Sequence, residues 1–109
     1  MICKRGALQK DKVSVTFEIP GTIWADRIHL VGDFNGWDRE SLPFQRDREG
    51  NWRLELELDA GREYRFLYLV DGDHWRGEWQ ADKSVQNPQG GYDSIVIAQA
   101  VQELQESWA

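Results

Sequence analysis

Two runs of strict alternation constrain what this chain can fold into. Val13, Val15, Phe17 and Ile19 alternate with Ser14, Thr16 and Glu18, and Trp52, Leu54, Leu56 and Leu58 alternate with Arg53, Glu55 and Glu57. Side chains of an extended strand point to opposite faces at every second residue, so each run has one face for a core and one for water. Coiled into a helix, the same residues would scatter their apolar groups around the whole cylinder. Pro20-Gly21 ends the first run. Asp59-Ala60-Gly61 turns the second into Glu63 to Val70, where Tyr64, Phe66, Tyr68 and Val70 share a face. The opposite face starts polar at Arg65 and becomes apolar at Leu67 and Leu69. Ile28 to Val31 and Ser94 to Ile97 give two further strands. Leu42 to Gln45 suits a short edge strand, because Pro43 lacks the N–H that an interior strand must donate. About seven short strands separated by turns predict an all-β antiparallel sandwich. Its core is expected to hold Val15, Phe17, Leu30, Leu54, Leu56, Phe66, Tyr68 and Ile95.

The 109 residues suit one domain with a modest core. Residues 1–11 are polar and basic and read as a flexible N-terminus, without the apolar run of a signal peptide. Residues 12–97 form the sandwich. Residues 98–109 predict an amphipathic helix with Val101, Leu104 and Trp108 on one face. A helix this short needs something to pack on: the domain's own sheet, a second copy forming a homodimer, or a partner protein. From Gly72 to Gly91 the pattern predicts a polar loop. Its Trp75 and Trp79 argue for a functional loop rather than a disordered one. Cys3 is the only cysteine, which fits a reducing compartment and a cytoplasmic location.

Net charge is −6, with the basic residues scattered. Phosphate contacts need clustered Lys and Arg, so nucleic acid and anionic membrane are poor partners, whereas a neutral ligand is not penalised. No pair of carboxylates reads as a hydrolytic acid and base, because Glu18, Glu55 and Glu57 alternate outward on strands. His29 and His74 have no partner at metal-ligand spacing, and Asp71, Asp73, Glu78 and Asp82 lack the pattern of a calcium loop. The chain is therefore expected to be non-catalytic, with no cofactor and no metal. Six tryptophans, at 24, 37, 52, 75, 79 and 108, exceed what so small a core takes, so several should be on the surface. One closes the turn Val31-Gly32-Asp33-Phe34-Asn35-Gly36-Trp37, where Gly32 and Asn35-Gly36 are expected to supply positive φ. Trp37 then either caps the core or lies open as a platform for a sugar ring, whose C–H face packs on indole.

That turn, together with Ala60-Gly61-Arg62-Glu63-Tyr64-Arg65-Phe66, Leu69-Val70-Asp71-Gly72 and Asn87-Pro88-Gln89-Gly90-Gly91 before Asp93-Ser94-Ile95-Val96, resembles carbohydrate-binding module family 48. These are the immunoglobulin-like, early-set domains that precede the barrels of isoamylases and glycogen branching enzymes. The glycogen-binding domain of the AMP-activated protein kinase beta subunit is similar. The resemblance covers residues 12 to 97. It implies a stand-alone module for α-glucan such as glycogen or starch. It also implies a glucan stacked on Trp37 and on Trp75, which is displaced by one residue, with Trp79 as the competing position. The family's strand lysine falls at Leu67 or Arg65 according to the direction of counting. Its late asparagine falls at Asp93 and the preceding threonine at Gly91. Arg65, Asn87 and Asp93 are thus the implied polar contacts. The alternative is a regulatory or protein-interaction module of the same fold that has lost its sugar site.

Overall fold

The computed structural model describes residues 2–7, 11–78, 80–88 and 90–99. Nine strands follow in order: β1 (Ile2–Gly6), β2 (Lys12–Ile19), β3 (Ile28–Gly32), β4 (Gln45–Arg46), β5 (Trp52–Asp59), β6 (Glu63–Val70), β7 (His74–Arg76), β8 (Lys83–Gln86) and β9 (Tyr92–Ile97). A 3-10 turn over Asp33–Asn35 follows β3. One antiparallel sheet has the order β1-β2-β5-β4. The other runs β3-β6-β9-β8, with β7 also paired to β6.

The apolar faces of the two sheets meet in one core. Val13, Val15, Phe17 and Ile19 enter it from β2, and Ile28, Leu30, Phe66, Tyr68, Val70 and Val96 from the opposite sheet. Phe17 and Phe66 meet edge to face, with ring centroids 5.3 Å apart. Both are fully buried, and burying such a ring contributes roughly 2–3 kcal/mol. The Tyr68 hydroxyl, buried in this core, donates to Glu78 Oε1 at 2.8 Å. Burial and the adjacent carboxylate both push that hydroxyl up, so it stays protonated and able to donate.

The structure departs from the sequence pattern at several places. Where the pattern gave a flexible N-terminus over residues 1–11, Ile2–Gly6 is an edge strand in register with Phe17 to Val13. Within the expected loop from Gly72 to Gly91 lie β7 and β8. The edge strand expected over Leu42 to Gln45 is the two-residue β4, while Pro43 forms a lone bridge to His29. Leu54 and Leu56 are half-buried at the margin of the core, because β4 flanks only Trp52 and Arg53 of β5. Ile95 is buried, but it faces away from the core cluster, on the outer side of its sheet between Arg65 and Lys83. No α-helix is present among the described residues. In place of the start of the expected 98–109 helix, Ala98 runs on from β9 and is buried in the core. Its N–H donates to Arg62 O, and its carbonyl accepts from Gly61 N. Val101, Leu104 and Trp108 lie outside the described residues.

Gly32 does not have positive φ. Its backbone is extended, at φ −175°. It is required because β3 passes so close to β6 that a Cβ there would stand 2.4 Å from the Arg65 carbonyl and 2.8 Å from Phe66 Cβ. Gly32→Ala is expected to push β3 off β6 and cost about 1–3 kcal/mol, as for overpacking of a core. Thermal unfolding should show the midpoint falling by roughly 5 °C or more. An unchanged midpoint would contradict this close approach.

Candidate functional site

The turn after β3 has three side chains with three different duties. Phe34 points inward and packs on Tyr64 and Phe66, at centroid distances of 5.7 and 6.3 Å. Asn35 ties the loop together. Its Oδ1 accepts from Gly32 N at 3.1 Å, and its Nδ2 donates to Asp38 O at 3.0 Å and Ser41 Oγ at 2.9 Å. Gly36 and Trp37 both take positive φ, 64° and 61°. For a residue as bulky as tryptophan this conformation costs on the order of 1–3 kcal/mol and persists only where its surroundings fix it. Here they do. The Trp37 amide donates to Gly32 O at 2.9 Å, and its indole Nε1 donates to Asp33 Oδ1 at 2.9 Å. The other oxygen of Asp33 accepts from Arg65 N at 2.9 Å, so the indole is braced against β6.

A second tryptophan comes from the β6–β7 hairpin. Asp71 and Gly72 have φ of 54° and 81°, the pair of positive values that a tight hairpin turn needs. Asp71 Oδ1 accepts from Asp26 N at 2.7 Å and Arg27 N at 3.0 Å. Beyond the turn, Trp75 pairs with Leu69 and so lies on the outer face of the sheet. Arg39 stretches over its ring, with Cζ 5.4 Å from the centroid.

Trp37, Arg39 and Trp75 line an open groove of about 720 Å³ together with Leu67, Asn87, Pro88, Gly91 and Asp93. Leu67 belongs to the outer face of β6. Asn87 and Gly91 close a turn through Asn87 N to Gly91 O, 2.8 Å, and Gly91 N to Asn87 Oδ1, 2.9 Å. Asn87 Nδ2 also donates to Asp93 Oδ1 at 3.1 Å, and Asp93 is almost wholly buried at the groove wall. The groove therefore combines two aromatic faces, an apolar contact and a small group of amide and carboxylate atoms of the kind that can hydrogen-bond hydroxyls.

Four residues singled out from sequence meet here: Trp37, Trp75, Asn87 and Asp93. Both tryptophans are partly open, 37% and 42% exposed, and neither belongs to the core cluster. Arg65 is on the same face of β6 as Leu67, but it does not line the groove. Trp79 lies outside the described residues. Arg39 was not signalled by the sequence, and Pro88 only as part of the Asn87-to-Gly91 motif. Leu67 was visible as the point where the outer face of its strand turns apolar and as one of two positions for the family's strand lysine.

Residues 12–86 match the sequence profile of carbohydrate-binding module 48, the isoamylase N-terminal domain. The chain belongs to that family. Its relatives in carbohydrate-binding module 48 include a 1,4-alpha-glucan branching enzyme of Xanthomonas oryzae pv. oryzae, 39% identical over 63 residues that cover 50% of this chain and 9% of that enzyme. The branching enzyme of Aquifex aeolicus is 35% identical over 68 residues, 57% of this chain and 10% of the enzyme. That of Dictyostelium discoideum is 35% identical over 54 residues, 50% and 8%. The chain thus spans about a tenth of the length of these curated relatives.

The hairpin that presents Trp75 gives a pH prediction. The backbone N–H groups of Arg27 and then Asp26 hold the Asp71 carboxyl below its ordinary value of 3.8. A depressed carboxyl contributes stability above its unfolded pKa, and the contribution is lost as pH falls through the folded value. Asparagine tolerates positive φ, so Asp71→Asn removes the charge without straining the turn. The stability gap between wild type and Asp71→Asn should be open at neutral pH and close below about pH 4. Denaturant melts across that range measure it; a gap independent of pH would contradict the assignment.

Proposed function

We propose that this chain is a non-catalytic α-glucan-binding module that holds a neutral chain such as glycogen or starch in the groove between Trp37 and Trp75. The observation that carries the reading is the pair of partly open indoles in one groove, with Asn87 and Asp93 beside them. Sugar C–H faces stack on the indoles while the amide and carboxylate meet ring hydroxyls. Membership of a carbohydrate-binding family and similarity to 1,4-alpha-glucan branching enzymes support α-glucan as the ligand. We further assign residues 12–97 to the immunoglobulin-like early-set type of sandwich, on the strength of that membership. The exposed, unpaired Cys3 supports a reducing, cytoplasmic setting.

One observation favours the interaction-module alternative. Trp24 is 96% exposed on a loop pinned by Asp71 and by Arg46 Nη2 to Ala25 O, 3.3 Å, and it is not in the groove. A bare indole held by fixed backbone suits the anchoring contact of a protein interface. The two readings separate by substitution.

Affinity electrophoresis in gels with and without glycogen or amylopectin tests the glucan reading. Trp37→Ala or Trp75→Ala should weaken retention about tenfold or more, since an aromatic platform contributes on the order of 1–3 kcal/mol. Circular dichroism should stay close to wild type, and Trp24→Ala should bind normally. Wild type that migrates identically in both gels would remove the glucan reading and leave the interaction module.

A further inference from the structure

We propose that Arg39 is a built-in cover for the Trp75 platform: its guanidinium occupies the ring face that a glucose unit would use, and a bound glucan has to displace it. The inference rests on the glucan reading of the groove and adds a residue that sets its affinity.

Three observations carry it. Arg39 Cζ stands 5.4 Å from the Trp75 centroid, and both residues line the groove, so the covered face is turned toward the ligand space. A guanidinium stacked on an indole and a sugar ring stacked on it need the same π-face, so the two are mutually exclusive. Arg39 also makes no hydrogen bond or ion pair among the described residues. No carboxylate pairs with it among the described residues, although Asp38 and Glu40 flank it in sequence. The Asp38 carboxylate is engaged instead by the Glu40 amide at 2.8 Å.

The loop makes the displacement inexpensive. Asn35 Nδ2 holds Asp38 O and Ser41 Oγ, on either side of residue 39. The backbone is thereby fixed while the long side chain can swing away without unfolding anything. Only the stacking contact is lost. At an exposed site that contact corresponds to about a two- to fivefold equilibrium factor. A neutral glucan offers the displaced guanidinium no ion pair, and its hydroxyls only replace water as acceptors, so Arg39 lowers affinity rather than raising it.

Calorimetric titration of maltoheptaose into wild type, Arg39→Ala, Trp75→Ala and the double variant tests this. Arg39→Ala should tighten binding about two- to fivefold. The gain should vanish in the Trp75→Ala background, because the cover acts only through that ring. Weaker binding by Arg39→Ala, or a gain that persists without Trp75, overturns the proposal. Acrylamide quenching of the free protein supplies a readout that needs no glucan. The emission assigned to Trp75, by difference from Trp75→Ala, should be more accessible in Arg39→Ala than in wild type. Equal quenching overturns the cover. Absence of binding heat from wild type and Arg39→Ala alike removes the glucan reading, and displacement with it, while the quenching comparison still decides whether the ring is covered.

Discussion

The close approach of Gly32 to β6 is the contact on which the rest of the groove depends. No side chain stands between the two backbones there, so the Asp33–Asn35 turn sits directly on the strand. From that position Phe34 reaches the core, Asp33 accepts the Arg65 amide, and Trp37 is turned outward in a strained conformation. A turn lifted by the width of a methyl group would lose these contacts together. The strain at Trp37 is thus maintained by the core itself. Such strain is commonly found where a side chain must be presented rather than packed.

Strand β6 is the reference for both platforms. Trp37 is fixed through the pairing of Gly32 with Phe66, and Trp75 through the pairing of Trp75 with Leu69. Those two register points are three residues apart on one strand, on the order of 10 Å. The inner face of β6 supplies Phe66, Tyr68 and Val70 to the core, and its outer face supplies Leu67 to the groove. Core packing and groove geometry are therefore set by the same eight residues. Asn87 and Asp93 complete the wall by bonding each other, which fixes the carboxylate in place. The groove is pre-organised except at Arg39, whose long side chain stands over one platform.

Much of this was legible in the sequence because it follows from alternation and turn chemistry. The inward faces of β2 and β6 are local consequences of residue order, whereas the turn motif left Trp37 open between core cap and exposed ring, because its orientation depends on the contacts of Gly32 and Asp33 with β6. Other parts are not local. β7, with His74, Trp75 and Arg76 all exposed, and β8, with Lys83 and Ser84 at an edge, bury too little to carry an alternating pattern. β1 is held by pairing with β2 rather than by its own sequence. The duty of Gly32 was misread for the same reason: close approach to a distant strand is invisible in a turn motif. Arg39 stood out in no pattern, since its position over Trp75 depends on the loop after β3 and on β7, which reach it from opposite ends of β6. Trp75 lines the groove, and Trp79 lies outside the described residues.

The central claim is that one groove, set by β6, binds glucan. The most direct test is a titration of isotopically labelled protein with maltoheptaose, followed by amide and indole N–H resonances. The account predicts shifts concentrated at the indoles of Trp37 and Trp75 and at the amides of Asn87, Gly91 and Asp93, with the Trp24 indole unmoved. Shifts centred on Trp24, or on the small cavity of about 90 Å³ beside Ile23 and Tyr68, would contradict it, as would a spectrum that does not change.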